Sequence, residues 1–172
     1  MNLIECFAPS LKGRADKEAL VCGDLSWTFR DIDSASDRVA MALINRYGIV
    51  HGDRISMYLG NCPELIIFYL AAQKCGAIVV PMNVLYRDRE LSHLISDTAP
   101  RLILTDRERY IVFAPLRASF PSIENIFLVD GDGADKTLSW VALDDGIAVS
   151  PVNVSDISGD DPALMIYTSG TT

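Results

Sequence analysis

Short apolar runs that alternate with segments of helical periodicity most constrain the fold of this chain. The runs at Ala77 to Val80, Leu102 to Thr105 and Ile126 to Val129 are mostly apolar and continuous. Segments with helical spacing, such as Asp88 to Ser96, lie between them. Continuous apolar strands separated by helices are typical of a parallel sheet that is covered on both faces. We therefore predict an α/β fold with a mainly parallel sheet flanked by helices.

The first third of the chain predicts a hairpin followed by an amphipathic helix. Two short strands, Ala19 to Cys22 and Leu25 to Thr28, flank a turn that contains glycine. Thr28 and Asp31 have the spacing of a capping box, in which a hydroxyl and a carboxylate satisfy the first free amides of a helix. Apolar residues then recur at helical spacing, and we expect this helix to end near Tyr47.

A strand–helix–strand unit follows. Arg54 to Leu59 is predicted as a strand, and Asn61 is predicted to cap a helix with Pro63 in its first turn. That helix is apolar on most sides, so it should be buried. Gly76 is expected to end it.

The pattern weakens in the last third of the chain. A less regular helix is predicted over Arg109 to Ser119. Residues 130–161 contain several Asp and Gly residues, with Trp140 and Val141 as isolated apolar residues, and are predicted to form a surface excursion. A strand at Ala163 to Tyr167 is expected to resume the sheet.

Charge and apolar content limit the classes of function. The chain has 172 residues, is 49% hydrophobic and carries a formal net charge of −8. An acidic chain lacks the basic face of a nucleic-acid binder, so we predict no nucleic-acid partner. The longest strongly apolar run, Leu65 to Ala72, is far shorter than the roughly 20 residues that span a bilayer. Met1 to Ser10 lacks a signal-peptide pattern. We predict a cytoplasmic protein without a transmembrane segment.

The cysteines form no recognisable metal or redox motif. No two of them have the CxxC spacing, and only two histidines could join them as ligands. We therefore expect free thiols in a reducing compartment. The four residues are Cys6, Cys22, Cys62 and Cys75.

The remaining candidates for acid–base or metal chemistry are two histidines and two acidic pairs. Neither His51 nor His93 has a nucleophile or a ligand at a suitable spacing, so surface or packing roles are favoured. Asp144 with Asp145 suggests a solvated loop, and the pair at 160–161 suggests a cap before a strand. We predict no catalytic residue and no metal ligand in this chain.

A loop of small hydroxyl residues around a glycine is the strongest candidate binding site. The apolar run Leu164 to Tyr167 leads directly into Thr168, Ser169, Gly170, Thr171 and Thr172. Such a loop at the carboxyl end of a parallel strand can direct several N–H and O–H donors at one anion. An ordinary polar turn explains the five residues about equally well. The Gly-x-x-x-x-Gly-Lys-Ser/Thr pattern of P-loop proteins is absent.

A family resemblance decides between these two interpretations. Gly159 to Thr172 closely resembles the phosphate-loop motif of the adenylate-forming (AMP-binding) superfamily, which includes acyl-CoA synthetases, peptide-synthetase adenylation domains and luciferases. The resemblance runs from about Ala19 to Thr172 and is thinnest between residues 130 and 156. Upstream blocks similar to family motifs occur in the expected order: Ser26 to Ile32; Gly52 to Ile55 followed by Asn61, Pro63 and Glu64; and Cys75 to Asn83 followed by Tyr86, Arg89, Glu90 and Leu91.

The resemblance implies an ATP-dependent ligase. Members of the family activate a carboxylic acid with MgATP as an acyl-adenylate, and a thiol, usually that of CoA, then displaces AMP. The implied substrates and cofactors are therefore a carboxylic acid, ATP, Mg²⁺ and CoA. By resemblance, the loop from Thr168 to Thr172 grips the β- and γ-phosphates; it binds and does not catalyse. The segment from Ala77 to Leu91 looks nearer to acyl-CoA synthetases, the fatty-acid–CoA ligase branch, than to adenylation domains or luciferases.

Residues 1–172 are expected to be the amino-terminal part of an AMP-binding domain, truncated within its phosphate loop. The glycine, proline and lysine that continue the family loop do not follow Thr172. We therefore expect this segment alone to be inactive. An amino-acid adenylation domain, a luciferase-like domain and a non-catalytic binding module remain alternatives. The acid, the acceptor thiol and the oligomeric state are left open, since an exposed apolar face could meet either a second half or a second subunit.

Overall fold

The computed structural model describes residues 2–134, 137–144, 152–154 and 156–168. An antiparallel hairpin of β1 and β2 precedes a parallel sheet with the strand order β4-β3-β5-β6-β7. The strands are β1 Glu18–Cys22, β2 Leu25–Thr28, β3 Arg54–Tyr58, β4 Ile78–Pro81, β5 Leu102–Thr105, β6 Asn125–Leu128 and β7 Leu138–Ser139. The helices are α1 Leu3–Leu11, α2 Phe29–Asn45, α3 Pro63–Lys74, α4 Asp88–Thr98, α5 Arg107–Phe113 and α6 Val141–Asp144, with a 3₁₀ helix at Ala114–Ser119.

The sheet is covered on both faces, as the continuous apolar strands predict. The chain passes from β3 through α3 to β4, and then through α4 to β5 on the other side of β3. Because parallel crossovers are right-handed, this reversal places α3 and α4 on opposite faces. Ile55 and Leu104 belong to the core on the α2–α3 side, whereas Tyr58 and Ile103 belong to the core on the α4 side. The predicted α/β class is confirmed.

The capping box before α2 is present in the structure. The Thr28 hydroxyl accepts a hydrogen bond from the Asp31 amide at 3.1 Å, and the Asp31 carboxylate accepts one from the Thr28 amide at 2.9 Å. The helix runs 17 residues and buries Val39 and Leu43 completely. Across the ranges that the structure describes, no helix combines the length and the apolar character needed to cross a membrane.

Two helix boundaries differ from the sequence predictions. Asn61 does not cap α3; Cys62 occupies the N-cap position without a side-chain cap bond, and Pro63 is the first helical residue. Proline suits that position because its missing N–H would have no helical partner there. The helix predicted over Arg109 to Ser119 begins earlier and changes to 3₁₀ geometry at Ala114, next to Pro115, which lacks the N–H of an α-helical bond.

The prediction of a surface excursion over residues 130–161 is wrong in its first part. Strand β7 extends the sheet beside β6, and α6 packs against α2. Leu143 is fully buried there, and Thr137 is nearly so. The apolar positions are too few to show a local period, so only the pairing with β6 makes this segment a strand. The strand predicted at 163–167 is reduced to one parallel bridge, between Val79 and Leu164.

The cysteines confirm the expectation of free thiols. Cys6 and Cys22 are exposed, Cys62 is half-buried and Cys75 is buried, and none forms a disulfide. Burial raises the pKa of Cys62 and of Cys75 to about 12. Both thiols are therefore protonated at neutral pH and are poor nucleophiles.

Candidate functional site

Residues 163–168 lie beside β4 and run parallel to it. The Val79 amide donates to the Ala163 carbonyl at 3.1 Å, and the Met165 amide donates to the Val79 carbonyl at 2.9 Å. Thr168 therefore follows at the carboxyl-terminal edge of the sheet, on the same edge as the loops after the other parallel strands. This is the edge at which α/β sheets bind ligands.

The side chains of this segment alternate between a packed face and an exposed face. Met165 and Tyr167 pack against the core on the α4 side, whereas Leu164 and Ile166 are 39% and 65% exposed. This period of two is that of a strand. The packed face positions the backbone immediately before the loop.

Tyr167 is held by α4. Its hydroxyl donates to the Asp97 carboxylate, and its ring lies edge-on to His93 with 6.3 Å between the ring centroids. Burial, with the Asp97 carboxylate as a further cause, raises the pKa of Tyr167 to about 12. The phenol is therefore a hydrogen-bond donor at neutral pH. His93, for which the sequence favours a surface or packing role, is exposed on α4 and contacts this ring.

Polar side chains in the neighbouring loops are used to fix those loops. The Asp106 carboxylate accepts from the Arg109 amide at 2.9 Å and from the Gly60 amide at 3.1 Å, so it caps α5 and ties that helix to the loop after β3. The Asn83 side chain accepts from the Leu85 amide at 2.9 Å. These bonds fix the conformation of the loops at this edge of the sheet. The Asp106 carboxylate is used for this purpose and, among the described residues, is not paired with a second free carboxylate in the way that acid–base catalysis requires.

The approach to the site is anchored by the predicted acidic cap. The Asp161 carboxylate accepts from the Ser158 amide at 2.7 Å and lies 2.9 Å from His51 Nε2. The hydrogen bond with His51, and secondly that from Ser158, hold the pKa of Asp161 below its ordinary value. His51 thus makes a hydrogen bond at the surface, in agreement with the role expected for it.

Only one of the five predicted binding residues lies within the described part of the chain. Thr168 is exposed and directly follows Tyr167. Ser169, Gly170, Thr171 and Thr172 lie outside the described residues. The assignment of these residues to phosphate binding therefore stays a prediction. Sequence reasoning found this loop but missed the tyrosine–aspartate contact before it, because that contact joins residues far apart in the chain.

Two features elsewhere do not belong to this edge. A cavity of about 500 Å³ lies between α1, the β1–β2 hairpin and α3, and its lining is mainly apolar, including Phe7, Phe29 and Tyr69. None of residues 163–168 lines it. Within the described ranges, no three His, Cys, Asp or Glu side chains group to hold a metal ion. The expectation of no metal ligand stays a prediction for the whole chain.

The fold and its loop define a known class of enzyme. Residues 7–172 match the family model described as AMP-binding enzyme, and the chain belongs to that family. It is 30% identical over 166 residues to 3-hydroxybenzoate–CoA/4-hydroxybenzoate–CoA ligase of Thauera aromatica, covering 95% of this chain and 31% of that ligase. It is 28% identical over 171 residues to one subunit of plipastatin synthase from Bacillus subtilis, covering 99% of this chain and 6% of that synthase subunit.

Solved structures agree with this membership. A mutant form of coronafacic acid ligase from Pectobacterium brasiliense superimposes with a TM-score of 0.84 at 26% identity, covering 98% of this chain and 33% of that ligase. The chain therefore spans about a third of the length of the ligases that it matches. Its relatives include both a CoA ligase and a plipastatin synthase, so the family alone does not define the acceptor of the acyl group.

Proposed function

We propose that this chain is the amino-terminal part of an AMP-forming acid–thiol ligase, which activates a carboxylic acid with ATP and transfers the acyl group to CoA. The observation that carries the proposal is the course of residues 163–168, which run parallel to β4 and bring Thr168, the first residue of the predicted loop, to the carboxyl-terminal edge of the sheet, where α/β sheets bind ligands. Membership of the AMP-binding enzyme family supports it.

The loop would hold the triphosphate of MgATP. Backbone amides and the hydroxyls of Thr168, Ser169, Thr171 and Thr172 would donate to the β- and γ-phosphate oxygens, and Gly170 would let the backbone approach them closely. The carboxylate of the acid then attacks the α-phosphorus, a new C–O–P linkage forms, and pyrophosphate leaves with the electrons of the broken P–O bond. The loop would contribute to the reaction rate by orienting two negatively charged reactants in this way.

The second step of the proposed reaction is thioester formation. A thiolate attacks the acyl carbon of the adenylate, a C–S bond forms, and AMP leaves. CoA is the proposed acceptor because Ala77 to Leu91 resembles the corresponding segment of CoA ligases. A carrier-protein thiol is the alternative acceptor, and the similarity to plipastatin synthase favours testing it.

The domain organisation and the cellular compartment of the protein are also proposals. Residues 1–172 would form one part of an AMP-binding domain, and this part alone would not adenylate an acid, since the resemblance assigns adenine, ribose and acyl-group binding to later segments. We propose a cytoplasmic enzyme whose partners are small molecules.

Acid-dependent exchange of labelled pyrophosphate into ATP by the intact protein tests the proposal. Carboxylic acids of several classes are offered singly, beginning with hydroxybenzoates because of the ligase from Thauera aromatica, and any active acid is then incubated with CoA. Exchange with one acid class followed by acyl-CoA formation supports the proposal. Exchange without transfer to CoA favours the carrier-protein alternative. A purified, folded protein that shows no exchange and no MgATP binding favours a non-catalytic module.

A further inference from the structure

Residues 163–168 are attached to the sheet by few backbone hydrogen bonds. Val79 supplies both backbone bonds, whereas β3 and β4 pair through four successive residue positions. A segment with so few backbone bonds detaches readily from the edge of a sheet. A slip of one residue would move Thr168 by about 3.3 Å along the strand and turn its side chain to the other face.

A buried glutamine adds a third bond at this position. Gln73 Nε2 donates to the Ala163 carbonyl at 2.9 Å, and Gln73 is only 6% exposed. The same carbonyl accepts from the Val79 amide, so two donors use its two lone pairs. Detachment of the segment would leave this buried amide without a backbone acceptor, which is costly when no other acceptor replaces it.

Packing of residues 163–168 against the core fixes their register only in part. Met165 and Tyr167 contact the core on the α4 side, so packing selects which face is buried. A slip of two residues would keep that face and still displace the loop by about 6.6 Å. The bond from Tyr167 to Asp97 distinguishes these two registers, whereas the bond from Gln73, which is made to a backbone carbonyl, holds the segment against α3 and β4 in either register.

The helix that carries Gln73 is firmly fixed. Lys74, the next residue, is 4% exposed, and its ammonium lies 2.7 Å from carboxylate oxygens of both Asp33 and Asp37 on α2. The last turn of α3 is therefore joined to α2 by buried charge-assisted bonds. A side chain on this turn provides a stable reference for a neighbouring segment.

We propose that Gln73 is a positioning residue, which holds residues 163–168 against α3 and β4 and thereby limits the movement of Thr168, the first residue of the proposed loop. The effect on nucleotide binding rests on the proposed function, whereas the effect on the segment does not. Gln73 acts on the loop through the Ala163 carbonyl, five residues before Thr168 in the chain.

Hydrogen–deuterium exchange on the intact protein tests the effect on the segment. Gln73→Met keeps the length of the side chain and removes the donor. We expect the amides of residues 163–168 to exchange about three- to tenfold faster, which corresponds to the loss of one hydrogen bond. Tyr69→Phe is the matched control on the same helix, because its hydroxyl makes no hydrogen bond among the described residues, and it should leave this peptide unchanged.

Calorimetric titration with MgATP tests the effect on the loop and needs no knowledge of the acid. We expect Gln73→Met to raise the Kd for MgATP about three- to tenfold at unchanged stoichiometry. If the substitution only destabilised the protein, part of it would be unfolded. The fitted binding stoichiometry would then fall, while the Kd would stay unchanged. If Gln73→Met does not fold, Gln73→Leu is measured, since its side chain also lacks a donor and suits a buried position.

The two measurements separate the two proposals. Unchanged exchange in residues 163–168 would overturn the role of Gln73, whatever the nucleotide result. Faster exchange in Gln73→Met with an unchanged Kd, where the wild type binds MgATP, would overturn the link between this attachment and the loop. A wild type that does not bind MgATP would count against the proposed function alone, and the exchange result would still decide whether Gln73 holds the segment.

Discussion

His51 Nε2 lies 2.9 Å from Asp161 Oδ2, and this pair joins the loop before β3 to the approach to the candidate site. The two residues are 110 positions apart in the chain. Gly76 makes the pair possible, because a Cβ at that position would lie 2.5 Å from His51 Cδ2. This surface contact thus depends on three parts of the chain: the end of α3, the loop before β3, and the segment that precedes the candidate binding loop.

The first prediction concerns the pH dependence of stability. The hydrogen bond with His51 lowers the pKa of Asp161 below 3.8, so the folded state binds its proton less readily than the unfolded state does. Its stabilising contribution is therefore present above that value and is lost as the pH falls through the lowered pKa. In urea unfolding of the intact protein, the stability difference between wild type and Asp161→Asn should shrink as the pH falls below about 4.

Asp160→Asn is the control for this prediction. Asp160 is exposed, and its side chain makes no hydrogen bond within the described part of the chain. Its substitution should leave the stability difference near zero at every pH. A difference for Asp161→Asn that grows as the pH falls below about 4 would contradict the predicted sign.

The second prediction compares two glycines. Gly76 and Gly52 both have positive φ, at 67° and 83°, and an alanine at either costs about 1–2 kcal/mol of strain. A Cβ at Gly52 meets nothing within 4 Å, whereas one at Gly76 meets the His51 ring. Gly76→Ala should therefore also release the contact between His51 and Asp161.

Hydrogen–deuterium exchange over residues 156–165 separates the two effects. We expect faster exchange in Gly76→Ala and no change in Gly52→Ala, although both variants lose stability. Equal exchange in the two variants would mean that the His51 ring moves aside without losing Asp161.

The third prediction concerns the buried charge between α2 and α3. Lys74→Met leaves the carboxylate of Asp37, with 9% side-chain exposure, without its cation. We expect the free energy of unfolding to fall by about 3–5 kcal/mol, measured by chemical denaturation. The double variant with Asp37→Leu should recover much of the loss, because two apolar side chains replace the buried pair. Asp33, whose side chain is 28% exposed, also loses its cation but remains in contact with water. A double variant as unstable as Lys74→Met would show that packing, and not the unpaired charge, causes the loss.

The fourth prediction tests the loop directly. Ser169→Ala removes one hydroxyl that the proposed function directs at a phosphate oxygen. A hydrogen bond to a charged group contributes about 1.5–3 kcal/mol, so the Kd for MgATP should rise roughly tenfold to hundredfold. Ser96→Ala, at an exposed position on α4, is the control and should bind as the wild type does. An unchanged Kd in Ser169→Ala would remove this hydroxyl from the proposed site.

The elements that the sequence predicts well are those stabilised by local interactions. The strand at 25–28 and the capping box at Thr28 and Asp31 are confirmed, because caps, turns and apolar runs act within a few residues. The helix cap predicted at Asn61 is wrong by one residue, since Cys62 takes the capping position without a side-chain bond. The sequence does not predict strand β7, because two residues are too few to show a hydrophobic period. Only their pairing with β6 makes them a strand.

The α/β class, the strand–helix alternation and the family can be predicted from the amino-acid order, because they depend on local periodicity and on a motif that is contiguous in the chain. How the candidate site is held depends instead on contacts between residues far apart in the chain. Gln73 reaches Ala163 across 90 residues, and His51 reaches Asp161 across 110. Such contacts form only when the sheet brings α3, β4 and residues 163–168 together. Hydrogen bonds act over a few ångströms in space, and no local pattern in the sequence records which distant residues meet.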